Sequence, residues 1–147
     1  MSVGPADIDN GIHFFVNDGT TNAFRERRSM RLWLHRVART ERRRIGRIAF
    51  VLMSDPELLS LNKRFLDHHD LTDVITFDEH TGDLVRGDVL ISYDRVRENA
   101  MRYGVARRDE LHRVMVHGLL HLCGHSDKSD PQKLAMRRSE DLYLQMR

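Results

Sequence analysis

The chain has 147 residues, of which 40% are hydrophobic and 31% are charged, and its formal net charge at pH 7 is +2. This composition is typical of globular proteins and excludes a disordered or fibrous chain, and the length suffices for one hydrophobic core. We therefore expect a single domain over residues 1–147.

Cysteine content and hydropathy indicate the cellular compartment in which we expect the protein. Cys123 is the sole cysteine, which excludes an internal disulfide. The first ten residues carry acids and no apolar segment, and no apolar run approaches the roughly 20 residues of a membrane span. We expect no signal peptide, no membrane contact and a cytoplasmic location.

Strands and helices alternate in the first half of the chain. The patterns predict a short strand over 12–18, a helix over 22–43 and a mostly apolar strand over 47–54. The run Ser54-Asp55-Pro56-Glu57 predicts the start of a helix, because it combines a capping group, a proline in the first turn and an early glutamate.

The second half begins with two β-rich segments, 72–78 and 87–94, and the polar loop between them predicts a hairpin. Helices are predicted over about 94–103, 106–123 and 130–146. A strand–helix–strand opening followed by paired strands and helices indicates an α+β (mixed α/β) fold, with a mixed four-stranded sheet covered by helices.

Arginine is concentrated early in the chain, with ten arginines and two glutamates between residues 25 and 47. One interpretation is the solvated face of a helix. The other is phosphate recognition, because the planar guanidinium matches phosphate oxygens bidentately. On the second interpretation Arg42, Arg43 and Arg44 are candidates for RNA binding.

The segment 117–127, HGLLHLCGHSD, has the spacing of a metal site at the end of a helix. His117 and His121 lie one turn apart, about 6 Å along the axis, so both imidazoles can reach one ion. Gly124 is placed to end the helix and Asp127 to return a carboxylate to the same ion. Two histidines and a carboxylate leave one position open on tetrahedral zinc, as in catalytic sites.

Alternatives remain at this segment. His125 is the rival third ligand, and a histidine pair of this spacing also occurs on surfaces that bind no metal. A core stripe of Leu111, Met115, Gly118 and Leu122 is predicted beside the histidines. A zinc peptidase is disfavoured, because Gly118 occupies the position where such enzymes carry their glutamate base.

Beyond the spacing, VHGLLHLCGHSD resembles the H-G-x-L-H-L-x-G-x-D-H signature of the YbeY family, bacterial endoribonucleases that mature ribosomal RNA. The segments LNKRFLDHHDLTDVITF at 61–77 and GDVLIS at 87–92 are similar to two further family motifs. Glu110 lies where the family tends to have an acid. The resemblance extends over roughly residues 47–127.

The resemblance implies a zinc-dependent, single-strand-specific endoribonuclease with one Zn²⁺ per chain. The expected roles are maturation of the 3′ end of small-subunit ribosomal RNA and ribosome quality control. RNA and the ribosome or its small subunit are the expected partners. The alternative is a metal-stabilised assembly factor that binds RNA or the ribosome with little catalysis.

Two positions depart from the family pattern. The third ligand, usually histidine, is Asp127, and the family's arginine after the L-N motif is Leu66. Arg64 is a further candidate for RNA binding, although it lies on a different face of the helix. Asp73 and Asp88, within the motif segments, are candidates to accept from the imidazole N–H groups, or are turn and cap carboxylates.

Overall fold

The computed structural model describes residues 11–66 and 72–147, and these ranges contain four strands and five helices. In chain order the elements are β1 (Ile12–Val16), α1 (Arg27–Thr40), β2 (Arg44–Met53), α2 (Asp55–Leu66), β3 (Val74–Asp78), β4 (Leu84–Ser92), α3 (Tyr93–Tyr103), α4 (Arg107–Leu122) and α5 (Asp130–Leu144). Residues 1–10, where we expected no signal peptide, and 67–71, part of the 61–77 motif, lie outside the described residues.

The four described strands form one sheet in the order β1-β2-β4-β3. β1 pairs with β2 and β2 with β4 in parallel, whereas β3 runs antiparallel to β4. The mixed four-stranded sheet, the α+β class and the β3–β4 hairpin are therefore confirmed. None of the helices in the described ranges combines the length and the hydropathy that crossing a bilayer requires.

Helices cover the two faces of the sheet unequally. On one face α1 and α4 pack against a large core that includes Phe50, Val89 and Ile91. On the other face α2 covers a smaller cluster, in which Leu58 packs with Met53 and Ile75. Because side chains alternate along a strand, consecutive residues of β4 face opposite layers.

Several predicted boundaries shift for reasons of backbone conformation. The helix predicted over 22–43 is Arg27–Thr40, because Glu26 and Arg42 both have positive φ, 51° and 59°, outside the helical region. β2 begins at Arg44, whose N–H donates to the Asp83 carbonyl at 3.0 Å. The predicted start of α2 is confirmed, with Ser54 Oγ accepting from the Glu57 N–H at 3.3 Å.

Helix α4 is buried on nearly every side, since the sheet, α1, α3 and α5 all contact it. The predicted stripe is buried, but Val116, Leu119 and Leu120 are buried as well, so the core face is wider than the periodicity indicates. Gly118 lies directly against β4. A Cβ there would lie 2.5 Å from Val89 Cγ1, so no larger residue fits without moving the helix off the sheet.

His112 is a buried histidine on the side of α4 that faces α1, 6% exposed. Its ring lies 5.4 Å from the Trp33 ring, and Nδ1 accepts from Arg147 at 2.9 Å. Burial, together with the charges of Arg147 and Arg108, lowers the pKa of His112 to about 4. The folded protein therefore keeps this imidazole neutral at pH values where the unfolded chain protonates it.

Acidification should consequently destabilise the fold through His112. Between the unfolded pKa near 6.5 and the folded pKa of about 4, the unfolded state binds the extra proton. The free energy of unfolding should then fall by up to about 3 kcal/mol as pH drops through that window. Denaturant unfolding at pH 7 and pH 4 should show a smaller loss for His112→Gln than for the wild type. Equal losses in the two proteins would contradict this assignment.

Candidate metal centre

His117 and His121 project from the last turns of α4 toward Asp127, which follows the helix. The two Nε2 atoms lie 3.0 Å apart, and Asp127 Oδ2 lies 3.3 Å from each of them. Ligand atoms on a tetrahedral zinc with bonds of about 2.0–2.1 Å are separated by roughly 3.3 Å. The triangle therefore has the size of one face of a zinc tetrahedron. Within the described ranges, this is the one group of three such side chains close enough to share an ion.

The other nitrogen of each imidazole is held by an acceptor. His117 Nδ1 lies 2.6 Å from Glu140 Oε2, and His121 Nδ1 lies 3.0 Å from the carbonyl oxygen of His125. Because a carbonyl or a carboxylate accepts, each Nδ1 carries the proton and donates it. In the neutral imidazoles both Nε2 atoms are then acceptors as well. Three acceptor atoms converge within 3.3 Å, an arrangement that a cation stabilises.

The pKa of His117 reflects the same need for positive charge. Burial alone would lower it, but the hydrogen bond to Glu140 and the negative charges of Glu140 and Asp127 outweigh burial, so the pKa is raised. The two carboxylates thus favour a positive charge at this point, which either a proton or a metal ion can supply.

The turn after α4 has the geometry that its glycine predicts. Gly124 has φ 101°, and the His125 N–H donates to the Leu120 carbonyl at 3.0 Å, so the chain reverses directly after the helix. The His125 ring points away from the cluster, and its Nε2 lies 2.5 Å from Glu41 Oε1. Asp127, rather than the rival His125, is therefore the residue that the turn brings to the two histidines.

Glu41 holds this turn from the end of α1. Besides His125, its carboxylate accepts from the Tyr143 hydroxyl, and Arg43 next to it donates to the Cys123 carbonyl at 3.2 Å. Since the His125 carbonyl orients His121, the Glu41 contact fixes one imidazole indirectly. Cys123 itself is buried, and burial raises the pKa of its thiol, as expected for a packing residue.

Glu140 is the orienting carboxylate that the sequence analysis did not identify. It is 5% exposed, and its second oxygen accepts from Arg113 at 3.0 Å. A signal existed in α5, where this acid shares a buried face with Met136 and Tyr143. Such a lone acid on an apolar stripe has a partner in the interior.

Neither of the two aspartates proposed for that role forms a hydrogen bond with His117 or His121. Asp88 is on β4 between Gly87 and Val89. A Cβ at Gly87 would meet Leu122 of α4, and the Val89 side chain lies against Gly118 of α4, so the Asp88 side chain points to the opposite face of the sheet. Asp73 lines the cavity beside the histidines, and its negative charge contributes to the raised pKa of His117. Glu140, and neither aspartate, makes the contact with an imidazole N–H.

The candidate arginines are dispersed over the surface. Arg44 forms an ion pair with Asp83 at 3.1 Å, and Arg43 is engaged at the Cys123 carbonyl. Arg64 lies over the Phe65 ring on α2, on the far side of the sheet, and Arg42 is exposed at the end of α1. The structure does not gather these four arginines around the metal cluster.

A cavity of about 460 Å³ opens beside the cluster between the β3 edge, α3, α4 and α5. Its cationic lining groups are Arg113, Lys133 and Arg137, of which the last two are exposed on α5 and make no ion pair with any described residue. The cavity therefore combines a metal-ligand set with free positive charge, a combination that suits a phosphate-bearing substrate.

The fold and cluster together define a candidate metal-dependent hydrolase, and comparison with known proteins gives the family. The family model described as endoribonuclease YbeY matches residues 15–147. The protein named endoribonuclease YbeY from Cytophaga hutchinsonii is 42% identical, and the match covers 91% of this chain and 94% of that protein. The protein of the same name from Flavobacterium psychrophilum is 45% identical, and the match covers 83% of this chain and 87% of that protein. The chain belongs to the endoribonuclease YbeY family, as its motifs indicated.

A solved structure agrees with the fold. The solution structure of TM1509 from Thermotoga maritima matches with a TM-score of 0.65 and 25% sequence identity, covering 91% of this chain and 87% of that one.

Metal binding can be tested ligand by ligand. Asp127→Ala should lower the metal content of purified protein sharply, because two ligands remain. Glu140→Gln should weaken affinity by about 10- to 100-fold through loss of imidazole orientation. His125→Ala should weaken affinity less than Asp127→Ala, because it removes the contact with Glu41 but retains the carbonyl that orients His121. His80→Ala, a change of an exposed histidine outside the cluster, is the matched control. Metal retention in Asp127→Ala with loss in His125→Ala would show that the third ligand is His125.

Proposed function

We propose that the protein is a zinc-dependent endoribonuclease that cleaves single-stranded segments of ribosomal RNA precursors, with one ion held by His117, His121 and Asp127. The observation that carries the proposal is the convergence of three acceptor atoms at tetrahedral separations beside a cationic cavity. Family membership supports RNA as the substrate, because the relatives are named endoribonucleases.

The chain's own residues would divide the work in a definite way. A divalent ion bound here would supply Lewis acidity to the phosphodiester and to its attacking water. Glu140 and the His125 carbonyl keep both imidazoles oriented, and the Glu41 contact holds the turn that carries Asp127. Lys133 and Arg137 on the cavity wall would bind phosphate oxygens and balance charge that develops during cleavage.

A peptidase is a poor alternative on steric as well as chemical grounds. The position of the glutamate base in H-E-x-x-H enzymes is Gly118, which lies against Val89 with no space for a Cβ. A carboxylate at this point of α4 would have to enter the core.

Within the cell we propose a cytoplasmic role in maturing the 3′ end of small-subunit ribosomal RNA and in ribosome quality control, with the ribosome or its small subunit as partner. A non-catalytic assembly factor is the alternative, and the named activity of the relatives disfavours it. The two functions differ in whether the metal ligands matter for turnover or only for the fold.

Substitution of His121 distinguishes the endoribonuclease from the assembly factor. His121→Ala should abolish cleavage of a single-stranded RNA while RNA affinity changes little, because the phosphate contacts come from other residues. Cleavage on a gel, and binding by fluorescence anisotropy, should be measured with His80→Ala, an exposed histidine, as the control. Both variants must melt cooperatively. Cleavage by a folded, metal-free His121→Ala protein would refute the hydrolase mechanism.

Salt dependence identifies the RNA-binding cations. Lys133→Glu and Arg137→Glu should each weaken RNA binding and reduce the slope of log affinity against log salt by about 0.7, the value for one lost single-strand phosphate contact. Arg42→Glu is the matched charge reversal on the arginine-rich segment, away from the cavity. If Arg42→Glu flattens the slope and the α5 variants do not, RNA binds along the arginine-rich segment instead.

A further inference from the structure

Glu110 is a buried carboxylate that the metal cluster does not use. It lies in the first turn of α4, is 6% exposed and lines the same cavity as His117. Its side chain makes no hydrogen bond or ion pair with any residue of the described ranges. Its carboxylate oxygens are not among the fully buried atoms that lack a partner, so they reach the solvent of the cavity that Glu110 lines. A largely buried carboxylate that opens into a cavity without a protein partner is available to a ligand.

Two simpler explanations account poorly for Glu110. An acid in the first turn of a helix interacts favourably with the helix dipole, but the half-buried neighbour Asp109 already provides that interaction. A second metal site needs three converging ligands, and among the described residues Glu110 belongs to no such group. Burial, and then the negative charge of Asp73, raise the pKa of Glu110 against the opposing charges of Arg113 and Arg137.

The distance from the ion restricts what Glu110 can contact. Seven residues of helix separate it from His117, which corresponds to about 10 Å along the axis. A proton-transfer group must come within about 3 Å of the reacting atoms, so Glu110 is too far to act on the phosphodiester at the cluster. The distance suits a contact with a neighbouring nucleotide in the same cavity.

The surroundings of Glu110 match a nucleobase. Tyr103 lines the cavity and is 53% exposed, so its ring is free to stack on a base. Asp73 and Asn99 line the cavity as well, and the charge of Asp73 acts on Glu110. The charges of Arg113 and Arg137 also act on Glu110, but Arg113 is paired with Glu140 and Asp141, and Arg137 is exposed. An ionised carboxylate accepts from the N–H donors of an exocyclic amino group and has no donor to offer a carbonyl oxygen.

We propose that the Glu110 end of the cavity is a nucleobase subsite, in which the Glu110 carboxyl accepts a hydrogen bond from the exocyclic amino group of a base next to the scissile phosphate. Adenine, cytosine and guanine carry such a group and uracil does not. The subsite deepens the proposed function, since it would select which single-stranded RNA positions are cut.

Single-atom changes in the RNA test the contact. Short fluorescent oligonucleotides should be compared in which one adenine is replaced by purine, or one cytosine by 2-pyrimidinone, removing only the amino group. Binding is measured by anisotropy in chelator, so that no cleavage occurs. At one position the wild type should lose about 5- to 10-fold in affinity, the size expected for one hydrogen bond to a charged or polar acceptor. The Glu110→Leu variant should show no such loss.

Variants of the protein separate recognition from structure. Glu110→Gln keeps an acceptor oxygen and should retain most of the discrimination, whereas Glu98→Leu, a matched change of an exposed acid on α3, should leave it intact. Glu110→Leu should melt at the same or a higher temperature, because it removes an unpaired buried carboxyl. A lower melting temperature with affinity reduced equally for all RNAs would assign Glu110 a structural role and overturn the subsite.

The outcomes also distinguish the subsite from the nuclease proposal. If RNA binding depends on the amino group but the metal-loaded protein cleaves no RNA, the subsite proposal stands and the endoribonuclease proposal is refuted. If the protein cleaves RNA, but neither the cleavage rate nor the binding affinity depends on the amino group at any position, the endoribonuclease proposal stands and the subsite is refuted.

Discussion

The contact between α4 and β4 is the constraint on which the candidate site depends. At Gly118 the helix lies so close to Val89 that a single added carbon would overlap it, and the surrounding turns are buried by α1, α3 and α5. A helix packed in this way has little freedom to rotate or slide. Its two candidate ligand histidines, about one-fifth exposed, are therefore held beside the cavity in a fixed relation to each other, as a metal site on a rigid element requires.

Most of the fold could be predicted because apolar periodicity and capping residues carry it locally. The start of α2 at Ser54 and the β3–β4 hairpin follow from such signals. The ends of α1 could not, because they depend on positive φ at Glu26 and Arg42, residue types with no special preference for that conformation. The pairing of β4 between β2 and β3 is likewise a tertiary result, which no segment of the sequence encodes by itself.

Some residues of the candidate site could likewise be predicted from the sequence, and others could not. His117, His121, Gly124 and Asp127 were predictable, because helical spacing and turn geometry act over a few residues. Glu140 and Glu41 were not, since their contacts span 23 and 84 residues of chain. For the arginine-rich segment both interpretations stay open at Arg42, Arg43 and Arg44, but some of its other arginines have structural roles. Arg31 donates to the Ile12 carbonyl and Arg36 to that of Met146, so part of that charge holds the fold together and is not available to phosphate.

The three candidate ligands all lie within residues 117–127, whereas the groups that orient them come from α1, α5 and the turn. A short segment with two histidines and an aspartate can also chelate an ion when the chain is unfolded, so the ion does not bind the native state exclusively. Binding of equal affinity to the folded and unfolded states leaves the free energy of unfolding unchanged. Only tighter binding to the folded state raises the melting temperature. That difference resides in Glu140 and the Glu41-held turn. Thermal stabilisation by a bound metal would therefore measure the contribution of these remote residues, and metal stoichiometry would report on the local ones.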